Sequence, residues 1–572
     1  MTPIAHLRAA ALLFVFVATV GGCAAPVAPA PAPQRHEVDL IIRNGEIYDG
    51  RGGEPVQQNL AVDEGRVVAI GALDGYEAAQ TVDARGLAVA PGFINVLSWA
   101  GDSLIHDGRG MSDLKQGVTL ELFGEGDSYG PLNDASRREL IDAQTDIKYD
   151  VNWTTLGEFL DRLVARGVSP NVASFVGAAT VRVHELGFAN RAPTPSELAR
   201  MQDVVRQAMR EGALGVGSAL IYAPGAYAKT DELIALASAA GESGGAYISH
   251  IRSEGDRFLE AVDELIEIAR TAKVPAEIHH LKAAGEQNWP KMSQAITRVE
   301  AARAQGLAIT ANMYTYTAGA TGLDASMPPW VQEGGLDAWV ERLKSPDIRK
   351  RVLAEMRAPG KDWENLYLAA GTPENIRLIE FRTTKLKPYT GKTLAEVAKI
   401  RGESPEDTIV DLVIEDHFRV STAYFLMSED NVRLGLSQPW VSIDSDAGAY
   451  APEGAFLLSS PHPRAYGSFA RFLGRYVRDQ HVATLQDAVR RLTNLPAQNF
   501  KLRERGCLAT GCHADIVVFD PATIADHATF EQPQQFATGV VHVFVNGVQV
   551  IRDGEHTGAK PGQVVRGPGW TG

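Results

Sequence analysis

Two short apolar runs, separated by a helical pattern, mark the centre of the chain. The first covers residues 246–249 and ends at His250, and the second covers residues 274–278 and ends at His279 and His280. Between them, apolar residues recur three and four positions apart, which predicts an amphipathic helix. These residues are Phe258, Val262, Leu265, Ile266 and Ala269. Strands joined through a helix are normally parallel, so the histidines are expected at one edge of a sheet.

The same alternation of strands and helices continues through residues 91–492 and predicts an α/β fold with a TIM-type (β/α)8 barrel. The active site of such a barrel lies at the carboxyl ends of its strands, where two histidines can hold a metal ion. Residues 322–406 break the rhythm and predict an insertion over this face, which we interpret as a lid. Strand ends are expected near Asn95, Leu122, Gly177, Ser218, His250, His280, Tyr314, Met427 and Asp444.

Both ends of the chain have the pattern of antiparallel β-structure. Residues 38–90 and 493–572 contain short β-type runs between Gly and Asp turns, and Asn546-Gly547 is a hairpin signal. We therefore expect one small β-sandwich domain built from both termini.

The first 22 residues have the pattern of a signal peptide, with Arg8 before an apolar stretch and small residues before Cys23. The sequence around Cys23 resembles a bacterial lipobox, and Ala24 resembles an outer-membrane sorting signal. Residues 23–37 are rich in Ala and Pro and predict an extended tether. We expect a periplasmic lipoprotein of the bacterial cell envelope, anchored to the outer membrane through lipid on Cys23 alone. The alternative is an ordinary cleaved signal followed by a chance cysteine.

Composition narrows the classes of protein. The 572 residues carry a net charge of −15, which argues against nucleic-acid binding. An apolar content of 45% allows a large core. Two cysteines follow Cys23 in the chain, Cys507 and Cys512. In an oxidising periplasm they can form a disulfide or stay free, and both alternatives remain open.

Several motifs carry a resemblance that covers about residues 39–572. They are Ala90-Pro-Gly-Phe-Ile94, residues 210–225, His280-Leu-Lys282, Tyr314-Thr-Tyr316, residues 443–448, His462-Pro-Arg464, residues 505–520 and Val545-Asn-Gly547. With these the chain resembles the N-acyl-D-amino-acid deacylase (D-aminoacylase) family of the metal-dependent amidohydrolase superfamily. No Gly-x-Ser-x-Gly elbow or nucleotide-binding glycine loop points to another class.

The resemblance implies roles for particular residues. It implies that His250 and His280 bind zinc, and that His279 points to the opposite side of its strand. It also implies that Asp446 acts as general base and then as general acid. Zinc lowers the pKa of water towards 7 and polarises the amide carbonyl. Asp444, two positions earlier, is the competing candidate for the base.

Substrate contacts follow from the same resemblance. Arg464 is expected to bind the free α-carboxylate of the substrate, since a guanidinium suits bidentate contacts with a carboxylate. Lys282, Tyr222 and Tyr314 are expected to assist it.

The chain departs from the family pattern at two places. Where the family has His-x-His after the first barrel strand, this chain has Leu97 and Trp99, neither of which can bind zinc. We therefore expect one zinc ion and no second. The family's cysteine ligand is also absent, and residues 124–127 read Gly-Glu-Gly-Asp. Glu125 is the expected third ligand, because His2Glu is a known catalytic zinc set. Glu121 and Asp127 are the alternatives.

The sequence thus predicts a zinc-dependent hydrolase that cleaves the amide bond of N-acyl-D-amino acids or related small D-amino-acid amides. The expected partner is a small N-acylated amino acid, with no nucleic acid. The alternative is a catalytically decayed lipoprotein that binds a small ligand on the same scaffold. Retention of His250, His280, Asp446 and Arg464 favours the enzyme.

Overall fold

A computed structural model of the chain describes residues 11–18, 36–360 and 362–572. Residues 11–18 form neither helix nor strand, and their large apolar side chains are exposed. The predictions for Cys23, for nearly all of the tether and for the rest of residues 1–22 lie outside the described residues. In the described part of the chain, every helix is too short or too polar to cross a membrane.

The described residues form twenty-one strands. In chain order they are β1 (His36–Ile47), β2 (Val56–Asp63), β3 (Arg66–Gly71), β4 (Tyr76–Asp83), β5 (Ala88–Pro91), β6 (Phe93–Asn95), β7 (Val118–Phe123), β8 (Asn171–Ser174), β9 (Val176–Gly177), β10 (Gly215–Ala219), β11 (Ala246–His250), β12 (Ala276–Ile278), β13 (Ile309–Met313), β14 (Ala318–Gly322), β15 (Ile376–Glu380), β16 (Ser421–Phe425), β17 (Val441–Ile443), β18 (Ile516–Phe519), β19 (Val540–Val545), β20 (Val548–Arg552) and β21 (Glu555–His556).

Eighteen α-helices lie in the same described residues. They are α1 (Gly101–Asp107), α2 (Met111–Leu114), α3 (Asp134–Asp142), α4 (Leu156–Ala165), α5 (Ala178–Leu186), α6 (Pro195–Arg210), α7 (Thr230–Gly241), α8 (Phe258–Ala272), α9 (Lys291–Ala304), α10 (Leu336–Leu343), α11 (Pro346–Met356), α12 (Leu366–Ala369), α13 (Leu394–Arg401), α14 (Pro405–Asp416), α15 (Glu429–Leu436), α16 (Arg464–Arg471), α17 (Leu485–Leu492) and α18 (Asn494–Asn499).

Strands from both ends of the chain form one β-rich unit. Its nine strands pair in the order β21-β20-β19-β18-β5-β1-β2-β3, with β4 beside β1. The two ends meet where β18 runs antiparallel to β5, with Val517 opposite Ala90. Alternate residues of these strands, such as Leu40, Ile516 and Phe544, are buried in one apolar cluster. The predicted accessory domain from both termini is confirmed. The disulfide between Cys507 and Cys512, with an S–S distance of 2.08 Å, lies just before β18.

Eight parallel strand positions form the second unit, which is a closed ring. Strands β6, β7 and β8 pair in one sheet, and β9, β10, β11, β12, β13 and β17 pair in order in another. Phe175 alone separates β8 from β9, so these two segments occupy one strand position of the ring. A parallel bridge between Ser98 and Ala447 joins the ends of β6 and β17 and closes the ring. The predicted barrel is thereby confirmed. Its strands are buried along their whole length, as expected where helices cover the outside.

The insertion is larger than predicted. Strands β14, β15 and β16 form a separate antiparallel sheet in the order β14-β16-β15, so the inserted segment reaches from Ala318 to Phe425. The expectation of a barrel strand ending near Met427 is wrong, because β16, which ends at Phe425, pairs only within this sheet. An apolar run of this length predicts a strand but does not reveal its partners.

Candidate metal and catalytic site

Three buried side chains converge at the carboxyl ends of β7, β11 and β12. One carboxylate oxygen of Glu125, Oε1, lies 3.1 Å from Nδ1 of His250 and 2.8 Å from Nε2 of His280. The two imidazole rings are 4.5 Å apart and nearly perpendicular, at 85°. Within the described ranges, this is the only cluster of at least three His, Cys, Asp or Glu side chains arranged to hold a metal ion.

Local backbone conformation brings Glu125 into this position. Gly124 and Gly126 on either side of it have φ of +106° and +72°, values that glycine adopts without strain. A Cβ at Gly124 would lie 2.4 Å from the carbonyl oxygen of Phe175, and one at Gly126 would lie 2.5 Å from Cβ of Ala219. Only a chain without side chains at both positions can therefore make this turn.

The donor set and its spacing fit a divalent cation. Ligand atoms about 2.0–2.2 Å from one tetrahedral ion lie roughly 3.3–3.6 Å from each other. The distances of 2.8 and 3.1 Å around Glu125 need to widen only slightly to match this. Two imidazoles and one carboxylate are also a known catalytic zinc set. The residues present therefore fit a zinc ion.

The second nitrogen of His280 is held by two residues behind it. Its Nδ1 lies 2.9 Å from Oε1 of Glu254 and 2.7 Å from Nζ of Lys282, and these two partners form an ion pair at 2.6 Å. Hydrogen bonding of Nδ1 to Glu254 leaves Nε2 free to face Glu125, the usual arrangement for an imidazole that binds metal. Sequence reasoning missed Glu254. Its spacing of four residues from His250 was the only available signal.

The charges of this cluster shift one another's pKa values. Burial by itself raises the pKa of Glu125, but His280 and His250 outweigh it and bring this pKa well below its usual range. Burial and Lys282 lower the pKa of His280, yet the carboxylates of Glu254 and Glu125 outweigh them and raise it to about 10. The two carboxylates thus supply a strongly negative environment, which suits a cation.

Asp446 follows β17, and the charges of Glu125 and His280 affect the pKa of its carboxylate. Its Oδ2 lies 2.8 Å from Nη1 of Arg464, and its Oδ1 accepts a hydrogen bond of 3.1 Å from the indole Nε1 of Trp99. Burial raises the pKa of Asp446, while Arg464 opposes this rise. Its carboxylate is thus both oriented and protected from water.

Asp444, the competing candidate, has a different environment. It is fully buried, and neither carboxylate oxygen has a hydrogen-bond partner among the described residues. Burial and then the charge of Asp446 raise the pKa of Asp444 well above its usual range. Arg464 and Trp99 each contact one oxygen of Asp446, whereas Asp444 has no hydrogen-bond donor among the described residues, so Asp446 is the better placed of the two to act as base.

The four predicted substrate contacts surround the same cluster. The guanidinium of Arg464 lies over the ring of Tyr314 at 4.6 Å, and its Nε is buried with no hydrogen-bond partner in the described chain. The ring of Tyr222 lies 5.2 Å from that of His250, and the ring of Tyr314 lies 6.3 Å from that of His280. Lys282 is buried and bound to Glu254, so its ammonium is already paired.

The two alternative third ligands lie elsewhere. Glu121 alternates along β7 with Leu120 and Leu122, which pack inside the ring, so its own side chain faces outwards. There it accepts a hydrogen bond of 3.0 Å from Asn95. Burial raises the pKa of Glu121 to about 7. Asp127 is exposed, and neither residue belongs to the His250 and His280 cluster.

The resemblance implied that His279 points to the opposite side of its strand from His280, but the His279 ring also faces the barrel interior. Strand β12 ends at Ile278, and His280 has a φ of +35°, so strand alternation no longer applies there. The rings of His279 and His280 lie 6.0 Å apart. Nδ1 of His279 lies 3.3 Å from the amide of Asn312, which also donates to the inward-facing Glu277. Burial lowers the pKa of His279 to about 3, so this ring is neutral.

The closed barrel, the accessory sheet and the buried His-His-Glu cluster define the class of metal-dependent barrel hydrolases. A family model described as "Amidohydrolase family" matches residues 168–551. The chain belongs to the amidohydrolase family, within its group of N-acyl-D-amino-acid deacylases.

Relatives match over nearly the whole chain. A D-aminoacylase of Alcaligenes xylosoxydans xylosoxydans is 32% identical over 92% of this chain and 97% of its own. A crystal structure of N-acyl-D-glutamate deacylase from Bordetella bronchiseptica, in complex with zinc and a phosphonate inhibitor, is 31% identical with a TM-score of 0.76 and covers 93% of this chain and 100% of its own. A D-aminoacylase structure described as having a binuclear metal centre is 30% identical with a TM-score of 0.77, over 92% of this chain and 100% of its own. The chain is thus a hydrolase that acts on amide bonds.

Proposed function

We propose that the chain is a zinc-dependent enzyme that removes the acyl group from N-acyl-D-amino acids or related small D-amino-acid amides. The observation that carries this proposal is the convergence of Glu125, His250 and His280, with ligand atoms within 4.8 Å of one another. The relatives named as deacylases of D-amino acids support the choice of substrate class.

The residues present can divide the reaction between them. The chemistry that a zinc ion supplies when bound is a lowered pKa for water and a polarised amide carbonyl. Asp446 accepts the proton of the attacking water and delivers it to the leaving amine nitrogen. Glu254 holds Nδ1 of His280, and Lys282 balances the charge of Glu254. One zinc ion is proposed, because Leu97 and Trp99 offer no metal ligand.

Substrate binding is assigned to Arg464 and its aromatic neighbours. A buried guanidinium with an unpartnered Nε can donate to the α-carboxylate of an N-acyl amino acid. Tyr222 and Tyr314 are proposed to form the walls beside the reacting amide. Lys282 contributes positive charge from behind His280, since its ammonium is held by Glu254.

Metal analysis of the purified protein, together with hydrolysis of N-acetyl-D-amino acids, tests the proposal. We expect about one zinc per chain in the wild type, and a severe loss of metal and activity in His280→Ala and Glu125→Gln. His527→Ala, at an exposed histidine of the accessory unit, is the control and should keep both. A wild type that holds no stoichiometric metal and hydrolyses no N-acyl amino acid would instead favour the non-catalytic, ligand-binding lipoprotein.

We also propose that the protein is a lipoprotein of the bacterial cell envelope, anchored to the outer membrane through lipid on Cys23. The support is the signal-like pattern of residues 1–22 and the Ala/Pro-rich segment after it. Labelled fatty acid should be incorporated by the wild type and not by Cys23→Ser, and the variant should leave the membrane fraction. Equal labelling of both proteins would refute lipidation at Cys23.

A further inference from the structure

Trp99 is bonded directly to the proposed catalytic base. Its indole Nε1 donates to Oδ1 of Asp446 at 3.1 Å, while Nη1 of Arg464 lies 2.8 Å from Oδ2. Each oxygen of this carboxylate therefore has its own donor. The Trp99 side chain is 42% exposed, so its ring reaches the surface while its single polar atom is turned to the site. A tryptophan placed only for packing has no need of this orientation.

Backbone pairing fixes the two residues relative to each other. The amide N–H of Trp99 donates to the carbonyl of Ala447 at 2.9 Å, and the amide N–H of Asp446 donates to the carbonyl of Leu97 at 3.0 Å. These bonds flank the bridge between Ser98 and Ala447 that closes the barrel. The segment that carries Trp99 is thus hydrogen-bonded through its backbone to the segment that carries Asp446.

We propose that Trp99 is a positioning residue, whose indole N–H, together with Arg464, holds the carboxylate of Asp446 in the orientation that accepts and returns the proton of water. This inference rests on the proposed function. Indole has one donor and no ring lone pair, so it orients a carboxylate without itself binding a metal ion. Preorganisation of this kind acts on the rate of the chemical step, because the carboxylate does not have to be reoriented during proton transfer.

Two substitutions separate the N–H from the ring. Trp99→Phe keeps an aromatic ring and removes the donor. Trp99→Gln removes the ring but places an amide N–H the same number of bonds from Cα as the indole Nε1–H, and it adds no imidazole at a position where the family has a metal ligand. We expect Trp99→Phe to lower kcat by roughly 10- to 100-fold with little change in KM, since general-base catalysis contributes about 10²–10⁴-fold. Trp99→Gln should recover most of the loss.

The pH profile of kcat/KM distinguishes orientation from packing. Loss of a donor to the ionised carboxylate raises its pKa, so the acidic limb should move to higher pH in Trp99→Phe and return in Trp99→Gln. Zinc content and Tm should match the wild type in both variants, because Trp99 is partly exposed and is not in the ligand cluster.

Three results would overturn the inference while leaving the proposed function intact. They are an unchanged kcat in Trp99→Phe, a rise in KM alone, and equal losses in both variants with an unmoved acidic limb. The last two would identify Trp99 as a substrate or packing contact. An inactive, metal-free wild type would instead refute the proposed function itself.

Discussion

At the scale of single residues, the centre of the site depends on His280. Both of its nitrogens face a carboxylate, Glu125 on one side and Glu254 on the other. The resemblance predicts His280 over His279, but only the backbone turn at His280, with its φ of +35°, explains how that ring reaches Glu125. Neighbours of this kind are set by three strands far apart in sequence.

Removing the charge of Glu254 should weaken metal binding without removing a ligand. In Glu254→Gln the amide can still contact Nδ1 of His280 but no longer makes the ring more basic. We expect zinc affinity to fall about 10- to 100-fold, the usual effect of losing such a supporting carboxylate. Competition with a chelator measures it. Glu260→Gln, at an exposed position of α8, is the matched control, and an equal fall in both variants would rule out a specific role for Glu254.

Replacing each aspartate of the pair should distinguish the base from its neighbour. Asp446→Asn removes the ionised carboxylate, so kcat should fall by roughly 10²–10⁴-fold. Asp444→Asn replaces a buried carboxyl group that has no hydrogen-bond partner in the described chain by a neutral group of similar shape, so kcat should stay within about threefold. Steady-state kinetics on an N-acetyl-D-amino acid gives both values. The opposite order of losses would assign the base to Asp444.

At the scale of elements, the space between β7 and α2 holds a pair of buried acids. Glu121 on β7 and Asp113 on α2 both accept hydrogen bonds from Asn95, at 3.0 and 3.3 Å. Burial raises the pKa of each, and the charge of Glu121 adds to the rise for Asp113. The contact between strand and helix is therefore strongest when these groups carry protons.

This pair makes stability depend on pH in a definite direction. Glu121 has a pKa raised from 4.5 to about 7, so the folded protein binds more protons than the unfolded chain between these values. Its contribution to stability is full below about pH 4.5 and is lost as pH rises through about 7. Glu121→Gln should flatten the fall of Tm with pH across this window in thermal unfolding. Parallel Tm curves for variant and wild type would contradict the assignment.

At the scale of the whole molecule, the insertion contacts the barrel beside the site. The barrel carries the ligand cluster at the carboxyl ends of β7, β11 and β12. Glu364 of the insertion accepts a hydrogen bond of 2.6 Å from the backbone N–H of Glu254, and Met427, just after the insertion, lies 3.7 Å from the hydroxyl of Tyr314. The insertion therefore packs against Glu254, the residue that holds Nδ1 of His280.

Because strands from both chain ends share one sheet, deleting one end should change the solubility of the protein. Deleting residues 493–572 removes β18, the strand that pairs with β5, and leaves β5 with an unpaired apolar edge. We expect insoluble protein, measured as the soluble fraction after expression. A chain that lacks residues 1–35, which precede β1, is the control and should stay soluble with an unchanged Tm. Equal solubility of the two truncated chains would show that the terminal units are independent.

The sequence by itself determined the classes of structure and much of the chemistry. Apolar periodicity is a local property, so it predicted strands ending at His250 and near His280, the β-rich ends and the barrel. The order of the motifs along the chain indicated the amidohydrolase family. These features depend on neighbours along the chain, which a sequence displays directly.

Only the tertiary structure decided which distant groups share a space. It placed Glu125 with the two histidines and Glu121 on the outside of the barrel, bonded Trp99 to Asp446, and put β16 in the insertion. The pairing of Cys507 with Cys512 was likewise left open by the sequence. The physical reason is that such contacts arise when the ring of strands closes, and closure brings together residues whose separation along the chain carries no periodic signal.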